Sequence, residues 1–284
     1  MFGRIWQLLS DSVQAFIADD ALSRGASISF YTITSIGPVL FIVVAIAGIA
    51  FGEDAARGAI AVQLRDLMGR ESADLVQTAV ESAGKSSGIF ASVVGAITLF
   101  ITASGVFGEM QSALNMIWKA QPKGTTISRL VRARAANLGL VAALGCLLLV
   151  SLVISALLSG LGTHIDAVLP FGALILHILN FIISLTLISV LFCAIYKVLP
   201  DAELTWRDVL VGAVVTALLF NLGKFLIGLY LAHCAMASSY GAAGALIIVL
   251  LWIYYSAQIF LLGAEFTKVY ASRRGTPAAI RAVG

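Results

Sequence analysis

Apolar residues in this chain come in long unbroken stretches, not in alternation. Six stretches reach the ~20 residues that a membrane-crossing helix requires. They run over Ala26–Phe51, Gly88–Phe107, Ala136–Leu161, Pro170–Val198, Val209–Ala232 and Ala242–Ala264. In hydrocarbon the backbone must satisfy its own polar groups, so runs of this length are read as helices; the short alternating segments of a membrane barrel are absent. Gly37-Pro38 inside the first stretch predicts a kink there. Residues 1–25 follow a different pattern. Ile5, Leu8, Leu9, Val13, Phe16 and Ile17 fall on one helical face, with Gln7, Asp11 and Gln14 elsewhere. Asp11, Asp19 and Asp20 break any apolar core that a signal peptide would need. The segment is expected to be a short helix lying at the membrane surface with Trp6 as its anchor.

The segment between the first two stretches, residues 52–87, alternates Ala59, Ile60, Val62, Leu64 and Leu67 with Gln63, Arg65 and Asp66. It reads as short amphipathic helices capping one face, too small to hold a core of its own. The fold class is therefore all-α: a polytopic membrane protein of six transmembrane helices. It divides into an interfacial helix (1–25), a transmembrane domain (26–272, including the loop 52–87) and a basic tail (273–284).

Composition excludes the alternatives. Of 284 residues, 60% are hydrophobic and 12% charged, and the mean hydropathy is +0.99. A soluble domain usually carries about 25% charged residues. An ordinary soluble enzyme, a disordered chain and a nucleic-acid-binding module are thereby ruled out.

The net charge of +3 matters less than its placement. Arg4 and Arg24 precede the first span. Lys119, Lys123, Arg129, Arg132 and Arg134 lie between the second and third, and Lys197 and Arg207 between the fourth and fifth. Lys268, Arg273, Arg274 and Arg281 follow the sixth, so thirteen bases share one side. The other side has four, outweighed by six acids in residues 52–87. The positive-inside rule then puts both termini in the cytoplasm. Cys146, Cys193 and Cys234 have no motif spacing, and no metal or cofactor is expected. The basic second loop is explained by orientation and anionic-lipid contact, without a nucleic-acid partner.

Polar side chains within apolar spans are costly and point to function. Lys224 lies about eight residues, roughly 12 Å, from the outer end of the fifth span. Asn221 shares its face. His177 and Asn180 in the fourth span sit at a similar depth. One reading is a hydrated site in which Lys224 attracts an anionic group. The other is a snorkelling lysine, with amides bonding between helices. A second group lies in the inner half. Tyr254, Gln258 and Glu265 form one stripe of the sixth span. Glu265 is expected to pair with Arg24 at the start of the first span. That pair either fixes helix packing or forms an inner gate with a proton-coupled carboxylate.

Several segments resemble the YihY/BrkB family of bacterial inner-membrane proteins. They are ALSRGASISFYTITSIGPVLFIVVAIAG from Ala21 to Gly48, LNMIW at Leu114–Trp118, LPDAELTWRDVLVGAVVTALLFNLGKFLIGLYL from Leu199 to Leu231, and YGAAGALIIVLLWIYYSAQIFLLGAEF from Tyr240 to Phe266. Leu251-Trp252 and Gly263-Ala264-Glu265 are the clearest marks, and the likeness covers roughly residues 10–272. It implies a six-helix, multi-pass protein of the bacterial plasma (inner) membrane. The family's labels, virulence factor and formerly ribonuclease, point to no single reaction.

Three functions are open at this stage. The first is transport or translocation of an anionic or lipid-like molecule, with membrane lipids as partners. The second is a non-transporting membrane scaffold that supports envelope integrity and allows a homo-oligomer. The third and weakest is an enzyme: His164, His177 and His233 all fall on the outer side, and no cytoplasmic segment gathers an acid–base or metal cluster.

Overall fold

The computed structural model describes residues 2–52, 58, 61, 73–74, 77–78, 105–120, 139, 172–233 and 236–276. The five named helices are α1 (Phe2–Ala18), α2 (Ala21–Phe51), α3 (Gly172–Val198), α4 (Trp206–His233) and α5 (Met236–Arg273). A further helical stretch covers 105–117, and no strand occurs among the described residues. The second and third expected spans and the amphipathic helices of 52–87 fall almost wholly outside the described residues. So do the side chains of His177 and Asn180.

Four of the six apolar stretches correspond to α2, α3, α4 and α5, and α2 continues as one helix through Gly37-Pro38. The helices outrun the apolar cores. α5 extends from Met236 to Arg273, whereas the apolar stretch ends at Ala264. Its last turns leave the apolar stretch and carry the chemistry described below. Phe181–Val198, Trp206–Ile227 and Leu246–Arg273 are long and apolar enough to cross a membrane.

The boundary expected at residue 25 moves. α1 ends at Ala18, and Asp20 adopts a left-handed backbone (φ 51°), which a short polar residue tolerates. Asp20 then starts α2: its side chain accepts from Ser23 Oγ at 3.1 Å, and its carbonyl from the Arg24 N–H at 3.3 Å. Residues 21–25 therefore belong to the first long helix.

α5 is central, packing against α1, α2 and α4, while α3 packs on α4. Small residues set the α4–α5 distance. A Cβ built on Gly212 would lie 1.8 Å from Thr267 Oγ1, and one on Gly263 would lie 2.0 Å from Thr216 Oγ1. The fully buried Tyr196 of α3 joins this seam. Its hydroxyl donates to the Phe260 carbonyl at 2.7 Å and lies 3.1 Å from Thr216 Oγ1. A buried hydroxyl without such partners would be costly. Phe192, Tyr196 and Phe260 stack around it at centroid distances of 5.4–6.5 Å.

The outside of the bundle is apolar. Phe181, Ile182 and Val190 of α3 and Leu210, Leu218, Leu222 and Phe225 of α4 are exposed. Water would not tolerate so continuous a face, whereas lipid does.

Candidate functional site

The polar chemistry collects at the end of the bundle where α2 and α4 begin and α3 and α5 finish. Two local motifs shape this end. Helix 105–117 closes with Lys119 left-handed (φ 44°) and the paired bonds Ala120 N→Asn115 O and Lys119 N→Met116 O. α5 closes in the same way on Gly275 (φ 73°), with Thr276 N→Ala271 O and Gly275 N→Ser272 O. The second motif swings Thr276 onto the start of α4. There Thr205 Oγ1 donates to Asp208 at 2.6 Å, Thr276 Oγ1 at 2.7 Å and Arg274 at 3.3 Å. Asp208 is buried, so its charge is held by three donors instead of water.

A second clamp joins segments far apart in sequence. Asn115 Nδ2 donates to Asp201 Oδ2 at 2.9 Å, and the Asp201 N–H returns a bond to Asn115 Oδ1 at 2.8 Å. Gln111 adds a 3.4 Å contact to the same carboxylate. Lys197 at the end of α3 donates to the Leu204 carbonyl and sits 5.2 Å from the Trp206 ring.

The third group is the deepest. Glu265 has 0% side-chain exposure, on the face of α5 that meets α1 and α2. Lys268, one turn on, reaches Glu265 Oε2 at 3.2 Å and Asp19 Oδ2 at 2.7 Å. One ammonium thus serves two carboxylates. Burial alone would raise the Asp19 carboxyl. Hydrogen bonds with Lys268 and Glu265, and the charges of Lys268 and Lys119, outweigh it and hold Asp19 below its ordinary 3.8. Nearby, Gln258 Nε2 makes a 3.4 Å contact to the Leu22 carbonyl, where α2 and α5 close over Gly25. Three buried polar atoms along this α2–α5 seam have no partner: Arg24 Nε, Gln258 Oε1 and Glu265 Oε1. Tyr254 stands half-buried one turn before Gln258.

The structure gives Glu265 a different partner from the one its sequence suggests. Lys268 occupies the place expected for Arg24, because an i, i+3 neighbour on the same helix is already within reach. Asp19 enters because the turn at Asp20 lays α1 across α5, with Arg273–Asp11 at 2.5 Å as a second contact between them. Glu265-x-x-Lys268 is visible in the sequence; the approach of Asp19 is not. At the other group, Lys224 is exposed beside Leu222, Phe225 and Leu226. Asn221 is half-buried and donates to the Ala217 carbonyl of its own helix at 2.9 Å. Among the described residues no cluster of acids, histidines and cysteines is built to hold a metal ion.

Comparison with known proteins places these features. Residues 12–282 match the family described as Virulence factor BrkB. A UPF0761 membrane protein of Cronobacter sakazakii is 32% identical over 209 residues, 71% of this chain and 66% of that protein. One of Tolumonas auensis is 32% identical over 192 residues, 66% of this chain and 59% of the relative. One of Yersinia pestis is 34% identical over 203 residues, 71% and 66% respectively. The chain thus spans just under two thirds of the length of these curated relatives. No solved structure matches it.

Proposed function

The chain belongs to the virulence factor BrkB family, and on that premise we propose that it is a transporter of the bacterial plasma membrane. Its cargo in this reading is an anionic or amphipathic, lipid-like molecule. Both termini and the charged end of the bundle lie in the cytoplasm, in keeping with the thirteen bases on that side. α1 rests along the inner leaflet, with Trp6, Leu9, Val13 and Ile17, its exposed large apolar residues, among the headgroups. No enzymatic step belongs to this reading.

One observation carries the proposal. Arg24 Nε, Gln258 Oε1 and Glu265 Oε1 are buried and unpaired along a single helix seam. A purely structural seam would pair or omit them, since each unpaired buried polar atom costs about 1–3 kcal/mol. Retained polar groups of this kind mark pathways in membrane proteins. Gln258 and Glu265 are seven residues apart, so the seam runs roughly 10 Å along α5. Lys224, exposed beside the lipid-facing Leu222 and Phe225 and not in this seam, gives a basic point in the outer half that can meet an anionic headgroup from the lipid side.

A scaffold role has its own support in the close α4–α5 packing at Gly212 and Gly263 and in the fully bonded Tyr196. Liposomes carrying the purified protein separate the two readings. Labelled phospholipids and a panel of small anions are offered, and movement across the bilayer is timed. Transport predicts protein-dependent movement of at least one cargo, slowed tenfold or more by Glu265→Gln or Lys224→Gln. If nothing in the panel moves, or if both variants match the wild type, the transport reading falls and the scaffold stands.

A further inference from the structure

We infer that Asp19, Glu265 and Lys268 form a proton-binding site, in which one proton is held between the two carboxyl groups at the charged end of the bundle. The argument is one of charge and reach. Both carboxyl groups contact the same ammonium, Lys268 Nζ, at 2.7 and 3.2 Å. With both ionised, the trio carries one excess negative charge. Glu265 is completely buried and Lys268 is 9% exposed, so water does little to neutralise that excess.

Two further cations lie near, and neither makes a described ion pair with Asp19 or Glu265. From α2 comes Arg24, whose Nε is itself unpaired; from the end of helix 105–117 comes Lys119, acting on Asp19 through space. Arg273 is engaged by Asp11, and Arg274 by Asp208. No carboxylate of Asp19 or Glu265 is offered a second ammonium by α1, α2 or α5 among the described contacts.

A single proton cancels that excess, and it gives two carboxyl groups gathered on one ammonium an O–H donor that a pair of carboxylates lacks. The buried Glu265 Oε1, which has no partner, is the atom left over in the arrangement without it. Proton binding leaves covalent bonds unchanged: the proton enters from water and returns to it. Asp19 is partly exposed, at 23%, and so offers the route between the site and the aqueous face. That this proton drives movement of a cargo rests on the transport reading; that it is bound does not.

The test is infrared difference spectroscopy on the full chain in lipid nanodiscs, stepping pH in sodium-free choline buffer. Surface carboxyl groups are ionised at neutral pH, so a carboxylic-acid C=O band surviving there reports the buried site. The wild type is expected to show one such band, shifted in deuterium oxide. Glu265→Gln, which keeps the side chain's shape, is expected to lose it. Asp19→Asn is expected to lose it too, because Glu265 and Lys268 then balance one to one. A wild-type spectrum without the band overturns the site, and so does a band unchanged in Glu265→Gln. Loss of the wild-type band when sodium replaces choline also overturns it, in favour of a metal cation. The liposome assay above is independent: its failure would remove the transport reading and leave a positive band intact.

Discussion

Replacing Gly263 by alanine probes whether the α4–α5 seam is as tight as its geometry requires. The added Cβ would meet Thr216 Oγ1 at 2.0 Å, the Tyr196 hydroxyl at 2.6 Å and Thr216 Cβ at 2.8 Å. None of these atoms can yield cheaply. Thr216 Oγ1 is bonded to the Gly212 carbonyl at 2.7 Å, Tyr196 is held by Phe260, and a Cβ moves only with its helix. Overpacking of a close-packed core costs about 1–3 kcal/mol. Thr216→Ala alone is milder, about 0.5–1.5 kcal/mol, because Tyr196 keeps its bond to the Phe260 carbonyl. In the double variant the nearest clash is gone and the Cβ contact remains. It should therefore be more stable than the sum of the singles by about 0.5–2 kcal/mol. Gly108 is the control. A Cβ there meets nothing within 4 Å. Gly108→Ala should be neutral or gain about 0.5–1 kcal/mol from helix propensity. Reversible unfolding in mixed micelles, followed by tryptophan fluorescence, measures the cycle. A neutral Gly263→Ala, or strict additivity with Thr216→Ala, would refute the reasoning.

Three further outcomes follow from the charged end. Asp208→Ala removes the acceptor shared by Thr205, Arg274 and Thr276. It should cost about 1–2 kcal/mol and speed tryptic cleavage at Arg273-Arg274, with Asp208→Asn intermediate; cleavage at the wild-type rate would show that the tail is held otherwise. Asn115→Asp sets a second carboxylate against Asp201, so about 1–3 kcal/mol should be lost at neutral pH and partly recovered in acid, whereas Asn115→Leu should be pH-independent. Wild-type stability of Asn115→Asp at neutral pH would contradict the clamp. For Asp19 the folded state favours the ionised form, so its contribution is present above the ordinary 3.8 and fades as pH falls through the lowered folded value. With Glu265 fixed as Gln, the stability difference between Glu265→Gln and Glu265→Gln/Asp19→Asn, measured by unfolding across pH, isolates Asp19 and should be flat near neutrality and shrink only in acid. A difference that grew on acidification would have the wrong sign.

Much of this was legible because lipid imposes a coarse rule. Continuous apolar runs marked α2 through α5 to within several residues, and Glu265 stood out as an acid at the edge of such a run. The partners of that acid were harder. Lys268 was written in the local spacing, but Arg24 was equally close to the inner end of a span, and sequence alone does not rank a neighbour on the same helix against one across a seam. Asp19 depended on a single left-handed residue, Asp20, that turns α1 back over α5. The Asn115–Asp201 clamp spans 86 positions and follows no periodicity. The amphipathic reading of α1 set its apolar residues on one face, but the fold divides that face, with Phe16 packed against the core. Leu9, Val13 and Ile17 are exposed, while Ser12 is buried and Asp11 is spent on Arg273. In water the stripe would face inward; beside a bilayer the polar side can face the protein.

The same inversion ties orientation to packing. Lys268, Arg273 and Arg274 are among the bases from which the proposed orientation is read, and each is also committed to an acid: Asp19 and Glu265, Asp11, and Asp208. A cation at the end of a helix costs little while water surrounds it, but once docked its removal leaves a carboxylate unpaired. Under the proposed orientation the same charges serve insertion and also fasten the finished bundle, tying α1 and the start of α4 to the end of α5. Neutralising them would disturb insertion and folding together, whereas Arg129, Arg132 and Arg134, between the second and third apolar stretches of the sequence, test orientation separately. Among the described ion pairs, the site where Asp19 and Glu265 share Lys268 has two acids on one base. A bundle held by matched charges has no need of an unmatched one, which is why the imbalance is read as chemistry and not as packing.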